Sequence, residues 1–446
     1  MRLTFLEQSR VPVGRSADAA VGSLGAEEAA SLVDLGEGMG ARIASWHGAR
    51  AVHIHQYVGA VRVGDLHVEI LPKIDGLDGP DAIRRSLLAM LAKTQDLEVR
   101  DSEAAGFLES AEPFICVLAR LYCRRLFEAV RFGLRQEYVA HDEVLPILRG
   151  KVHWPSQASR ESAQRLEFRC LFDERSADTP LNRTLKAALL AAERMLEGAA
   201  DSSAATELRH LFADVPDACP PREVVARLRT DRMSRRLAPL LALAKLLLGN
   251  RSPDLGRATT DDRRSYAVVW DMNLLFEEYV GRVCQDVFEP KGLDVDLQGE
   301  GSVHLAEEAS TRRRTFLLKP DILLRKGRSP RVVADTKWKR LDPQTGDLGV
   351  SGEDVYQVLA YAHRYATESA VLIYPHHPAV GRPGLQRDFV IQGGGAPRVV
   401  VRVMTVDLAR LESVPGQVGE AVGAGRTSEP ASSTGLLLKP APAFIG

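Results

Sequence analysis

Two short apolar runs, Ile322–Leu324 and Val332–Ala334, each abut an aspartate, Asp321 or Asp335, and a basic segment holding Gly327 and Pro330 separates them. Runs this short suit buried strands better than helices. The turn residues between them predict an antiparallel hairpin of 315–324 with 330–338, with Asp321 inside its first strand. Such a hairpin constrains the whole chain, because its strands must lie in a covered sheet while carrying charge. Two carboxylates at one sheet edge repel unless a cation sits between them. A hard oxygen-binding cation such as Mg²⁺, with Mn²⁺ as the alternative, suits one or two carboxylates, a backbone carbonyl such as that of Thr336, and water. Lys337 stands two residues after Asp335 and so shares its face of the sheet. Metal and lysine together can activate a water and neutralise charge building on a phosphate.

The rest of the chain supplies a frame for this element. At 446 residues it exceeds one ordinary core, so two or three domains are expected. Apolar content of 45% and charged content of 26% are ordinary for a globular protein. No apolar run approaches the roughly 18 residues of a membrane span. The N-terminus "MRLTFLEQSRVPVG" lacks the apolar core of a secretory signal. Five scattered cysteines with no CxxC pair indicate neither a disulfide framework nor a zinc site, which fits a reducing, cytoplasmic setting. The net charge of −1 does not mark a nucleic-acid binder, but residues 311–340 hold eleven Lys or Arg against two acids, Asp321 and Asp335. Most charge runs are solvated surface; here both acids adjoin apolar strands.

Read in order, the chain predicts a multidomain α+β protein. A β-rich N-terminal region, 1–150, contains the alternating stretch Ala51–Ile74 with a hairpin turn at Gly64-Asp65. His53 and His55 share a strand face there, as a metal pair or as ordinary strand-surface residues. Helices are expected at 80–94 and 113–134, then an extended segment at 144–154. A helical middle region, 151–264, has helices at 180–198, 203–215 and 229–248, the first capped by Asp178 or Thr179 with Pro180 in its first turn. The polar segment 250–264 reads as a junction. From 265 to 410 the order is helix (265–288), strands at 293–299, 314–325 and 330–338, helix (352–367), then strands at 369–375 and 398–406. This is an α/β domain around a mixed sheet. The Gly-, Pro- and Ser-rich stretch 411–446 reads as a mobile tail.

Two helices flank the acidic hairpin in sequence. On 271–288, Glu277 falls at the border of the apolar arc and Glu278 on the solvent side. A carboxylate at a core border needs a partner, a metal or an arginine. On 354–365, Gln357 and Tyr361 share a face beside Arg364. They can contact phosphate, or Tyr361 can simply pack.

The spacing P-D, thirteen residues, D-x-K is that of the PD-(D/E)xK nucleases, with Asp as the second acid. Beyond it, "MNLLFEEYV", "KPDILL", "VVADTKWK" and "DVYQVLAYAHRY", in this order, resemble the McrC family, the endonuclease component of McrBC-type restriction systems that act on 5-methylcytosine DNA. Upstream, "RVGDLHVEILPKI", "VLPILRGKV" and "ERSADTPLNRTLK" resemble it too, so the likeness spans about 50–405. The resemblance implies a restriction-endonuclease-like domain at 265–410 with Asp321, Asp335 and Lys337 as its triad. The metal is then expected on Asp321, Asp335 and Thr336, with Glu277 added because such nucleases often use an acid from the helix before the sheet, and Gln357 and Tyr361 are the candidate phosphate contacts. It also implies a AAA+ GTPase partner ring, McrB-like, that reads modified double-stranded DNA, and an N-terminal region that docks on the ring and stimulates GTP hydrolysis. The chain has no G-x-x-x-x-G-K-[ST] loop of its own, in keeping with this division. A stand-alone RecB-like repair nuclease and a non-cleaving adaptor are the other readings.

Overall fold

The computed structural model of the chain describes residues 2–18, 22–94, 113–131, 133–158, 167–196, 202–230, 234–248, 266–299, 303–393 and 396–423. It divides into two compact units, Met1–Tyr279 and Val280–Gly446.

In the first unit, β1 (Arg2–Leu6), β2 (Arg10–Gly14), β3 (Leu24–Gly25), α1 (Ala26–Gly38), β4 (Ala44–Trp46), β5 (Ala51–Ile54), β6 (Tyr57–Val63) and β7 (Leu66–Leu71) come first. They build two four-stranded sheets, ordered β3-β2-β5-β4 and β1-β7-β6-β11, the last being β11 (Tyr266–Asp271). Gly64, at φ 58°, turns β6 into β7 as the sequence predicts. Leu32, Ile43, Val52, Val61, Ile70 and Val269 meet in the core between these strands and α1. At Gly59 the β11 backbone comes so close that a Cβ would lie 2.1 Å from the Val268 carbonyl oxygen, so only glycine fits. His53 and His55 meet edge to face at 4.9 Å, and His55 Nε2 lies 2.8 Å from Ser45 Oγ.

Helices α2 (Pro80–Thr94) and α3 (Phe114–Val130) follow. The buried Glu69 ties them to β7, because it accepts from Arg84 of α2, at 2.6 Å to Nη2, and from the Phe114 amide of α3, at 3.1 Å. A buried carboxylate is tolerable only when paired in this way. Next come β8 (Glu137–Leu145), β9 (Lys151–Val152), the short α4 (Trp154–Ala158) and β10 (Phe168–Ser176), with the strands ordered β8-β10-β9 in a sheet of their own. The expected extended segment 144–154 is therefore two strand ends separated by a bend at 146–150. The helical layer consists of α5 (Pro180–Met195), α6 (Ser202–His210), α7 (Arg222–Arg227) and α8 (Ala238–Leu248), with α3 packed against α5 and α8. Thr179, not Asp178, caps α5, its hydroxyl accepting from the Asn182 amide, while Asp178 pairs with Arg183. The junction 250–264 lies outside the described residues.

The expected helix 265–288 is in fact β11 followed by α9 (Met272–Phe288). Ala267, Val268 and Val269 enter the sheet against β6, and Asp271 Oδ1 caps the helix through the Asn273 amide.

The second unit holds β12 (Asp294–Leu297), β13 (Val303–Glu307), β14 (Arg314–Leu318), β15 (Ile322–Lys326), β16 (Ser329–Thr336), α10 (Gly352–Tyr365), β17 (Ser369–Pro375), β18 (Gly384–Gly393), β19 (Ala396–Val406) and α11 (Val414–Gly423). Its main sheet is mixed and six-stranded, ordered β12-β15-β16-β17-β19-β18. Strands β15 and β16 pair antiparallel, while β16, β17 and β19 run parallel. Helix α10 makes the crossover between β16 and β17 and packs on β16, β17 and β19. Leu323, Val333, Leu372, Val401 and Val403 form the core with Val358, Tyr361 and Ala362 of that helix.

Two expectations change here. The single strand 314–325 is two strands, because Pro320 has no N–H to give a ladder. Strand β14 pairs with β13 in a separate ribbon, and Asp321 stands just before β15 instead of within it. The stretch 411–446 is also not all tail, since α11 buries Val414, Val418, Ala421 and Val422; residues beyond 423 lie outside the described ones.

Candidate functional site

The site lies where β16 leaves the sheet, beside the first turns of α10. Parallel strands that end beneath a helix start are a common place for a ligand crevice. Val333, Asp335 and Lys337 alternate onto one face, and the face is that of α10, since Val333 packs in its core. Strand pairing fixes the backbone, with Asp335 opposite Leu372 and the Lys337 amide donating to the Ile373 carbonyl at 2.8 Å.

Asp321 reaches the same place from the residue just before β15. Its Oδ2 accepts from the Thr336 amide at 2.7 Å and from the Thr336 hydroxyl at 2.8 Å. These bonds lock Asp321 to the residue after Asp335, so the two carboxylates meet although thirteen residues separate them in sequence.

Asp335 is 1% exposed. Its Oδ2 lies 2.5 Å from Lys337 Nζ in a buried ion pair. Burial raises the Asp335 pKa to about 6, Asp321 adds to the rise, and Lys337 pulls against it. For Lys337, burial opposes the charged form, but Asp335, Asp354 and Asp321 outweigh it and the pKa is raised.

Helix α10 completes the cluster. Lys337 Nζ donates to Gln357 Oε1 at 3.0 Å, Gln357 Nε2 donates to the Tyr361 hydroxyl at 2.9 Å, and that hydroxyl donates to the Lys319 carbonyl at 3.1 Å. Both residues singled out on this helix are thus in the site, four apart on one face and joined to each other. Burial raises the Tyr361 pKa.

Three groups escaped the sequence reading. Asp354 is buried on the first turn of α10, and its Oδ1 is 4.0 Å from Lys337 Nζ. Lys339 Nζ donates to both Asp354 oxygens at 3.1 Å, and the Tyr374 hydroxyl to Oδ2 at 3.3 Å. Ser351 and Asp354 have the spacing of a capping pair, and the Ser351 hydroxyl does cap the Asp354 amide at 3.2 Å. That local role hides the carboxylate's turn toward Lys339.

Glu277 and Glu278 lie on α9. Both are half-buried and neither is free of interactions, so exposure does not separate them as the helical wheel does.

A divalent cation fits the donor set at the sheet end. Asp321 and Asp335 bring two hard carboxylate donors together beside Thr336. Three carboxylates there face only two ammonium groups. Among the described residues no three His, Cys, Asp or Glu side chains form a ready cage, so a cation there would need backbone or water oxygens beside the two carboxylates.

These features define an α+β chain with a carboxylate–lysine cluster at the end of a mixed sheet. The model of the McrBC 5-methylcytosine restriction system component family matches residues 52–375, and the chain belongs to that family. The fold is similar to a chain in the refined half-complex from the tetradecameric assembly of Thermococcus gammatolerans McrB AAA+ hexamers with bound McrC. That likeness has a TM-score of 0.62 at 19% identity over 94% of this chain and 100% of that one. A chain of the cryo-EM structure of the T. gammatolerans McrBC complex matches at a TM-score of 0.47 and 20% identity, over 64% of this chain and 87% of that one. No curated protein matches. No helix among the described residues is long and apolar enough to cross a membrane.

Proposed function

We propose that this chain is the DNA-cleaving subunit of a modification-dependent restriction complex, with a PD-(D/E)xK nuclease domain built on the six-stranded sheet. The observation that carries the reading is the meeting of Asp321, Asp335 and Lys337 at one sheet end, in a member of the McrBC family. Asp321, Asp335 and the Thr336 carbonyl would hold Mg²⁺, or Mn²⁺ in its place. When bound, the cation lowers the pKa of a water and neutralises charge on the scissile phosphate. Lys337 supplies a fixed positive charge for the attacking water and the crowded phosphate. Gln357 orients that ammonium, and Tyr361 orients Gln357. The products are a 5′ or 3′ phosphate and a free hydroxyl, by hydrolysis of one phosphodiester bond.

The partner is a McrB-like AAA+ GTPase ring, and the substrate is double-stranded DNA carrying 5-methylcytosine. The family and the likeness to a chain of an assembly of McrB AAA+ hexamers with bound McrC support this. The β8-β10-β9 sheet supports it too. Tyr138, Ile147, Leu148 and Trp154 on and around that sheet are each more than half exposed, and large apolar side chains left in water suit a protein partner. The test is cleavage of methylated plasmid by the purified chain with and without the ring and GTP. Cutting that requires the ring, GTP and Mg²⁺ supports the reading. Robust cutting by the chain alone favours the repair-nuclease alternative, and ring stimulation without any cutting favours the adaptor.

A further inference from the structure

Lys337 sits on a flexible stem, and one ion pair does not aim it. Its ammonium has Asp335 on one side and Gln357 on another, and a third group, Asp354, closes the approach at 4.0 Å. Asp354 cannot wander, because it is seated on the first turn of a helix that Ser351 caps, and both its oxygens are taken. Lys339 leaves the strand two residues after Lys337 and returns to grip that carboxylate from the solvent side, being 57% exposed against 7% for Asp354. Tyr374, on the neighbouring β17, bonds the same carboxylate from within the core.

We propose that Asp354 is a positioning residue: held by Lys339 and Tyr374, it fixes the Lys337 ammonium between Asp335 and Gln357, where the reacting phosphate would arrive. This rests on the nuclease reading above. A metal-ligand role fits Asp354 less well, because Lys339 occupies both of its oxygens. A merely structural ion pair, stapling the β16 exit to α10, would act without regard to Lys337. The two are separable, because a positioning effect disappears once the positioned group is gone.

The experiment is single-turnover cleavage of methylated DNA by the full chain with its ring, GTP and Mg²⁺. It compares wild type, Asp354→Asn, Lys337→Gln and the double variant, with thermal melts of each. Asp354→Asn should lower the cleavage rate about 10- to 100-fold, as loss of an outer partner of a reactive group does. On the Lys337→Gln background the same change should cost no more than about twofold, within ordinary non-additivity. Lys339→Gln, which removes the grip and leaves Asp354 in place, should show the same dependence on Lys337, and it decides the matter if Asp354→Asn does not fold. Losses that multiply in the double variants, or an Asp354→Asn rate equal to wild type, overturn the proposal. If Lys337→Gln itself cuts like wild type, the nuclease site is wrongly placed and the failure lies there.

Discussion

Replacing Asp335 by Asn should make the protein more stable while removing its proposed activity. Burial, reinforced by Asp321 and only partly offset by Lys337, raises the carboxyl from 3.8 to about 6. The folded chain therefore holds this proton more tightly than the unfolded chain. Between pH ~4 and ~6 the folded state binds more protons, so the stability associated with this group is full below ~4 and is lost as pH rises through ~6. A shift of about two units at 1.36 kcal/mol each gives an upper scale of ~3 kcal/mol. Asparagine resembles the neutral acid in shape and cannot ionise. With chelator present, Asp335→Asn should match wild type near pH 4 and exceed it by up to ~3 kcal/mol at pH 8. For a unit of this size that is about 6–12 °C in melting temperature. Calorimetry of both proteins from pH 4 to 8 measures the difference directly. A variant no more stable than wild type at pH 8, or a difference that does not change with pH, would refute the electrostatic account of the site.

Other outcomes follow from the same structure. Mg²⁺ should raise the melting temperature of the wild type and leave Asp335→Asn unmoved, because a cation that binds only the folded site stabilises by mass action. Gly59→Ala should destabilise the first unit by about 1–3 kcal/mol, read by its melting temperature, because the new Cβ meets the β11 backbone. Ile147→Lys combined with Leu148→Lys should abolish stimulation of the ring's GTPase without changing the fold by circular dichroism, since both side chains are exposed.

How much of this was legible in the sequence depends on the range of the signal. The hairpin at Gly64, the helix at Pro80–Thr94, the strand at Ser369–Pro375 and the D-x-K motif are local patterns, and they appear where expected. Pro320 is local too, but the apolar residues on both sides of it give one continuous strand pattern that hides the break. The helix expected from 265 hides a strand in a similar way. Trp270 and Leu274 have helical spacing, but Ala267, Val268 and Val269 obtain their partners from β6, two hundred residues earlier. Burial at such a strand is a tertiary fact. Asp354 shows the same limit at the site. Its sequence neighbours explain it fully as part of a helix start, and only the fold brings Lys339 and Tyr374 to its oxygens.

The central claim is that the Asp321–Asp335–Lys337 cluster cuts DNA while other parts of the chain engage the ring. Cleavage of methylated DNA and GTP turnover should be measured side by side, with the ring present, for wild type and Lys337→Ala. Loss of an electrostatic stabiliser of the reacting phosphate should lower cleavage by a factor of about 10²–10³. The account predicts that loss with GTP turnover at the wild-type level; cleavage by Lys337→Ala at the wild-type rate would contradict it.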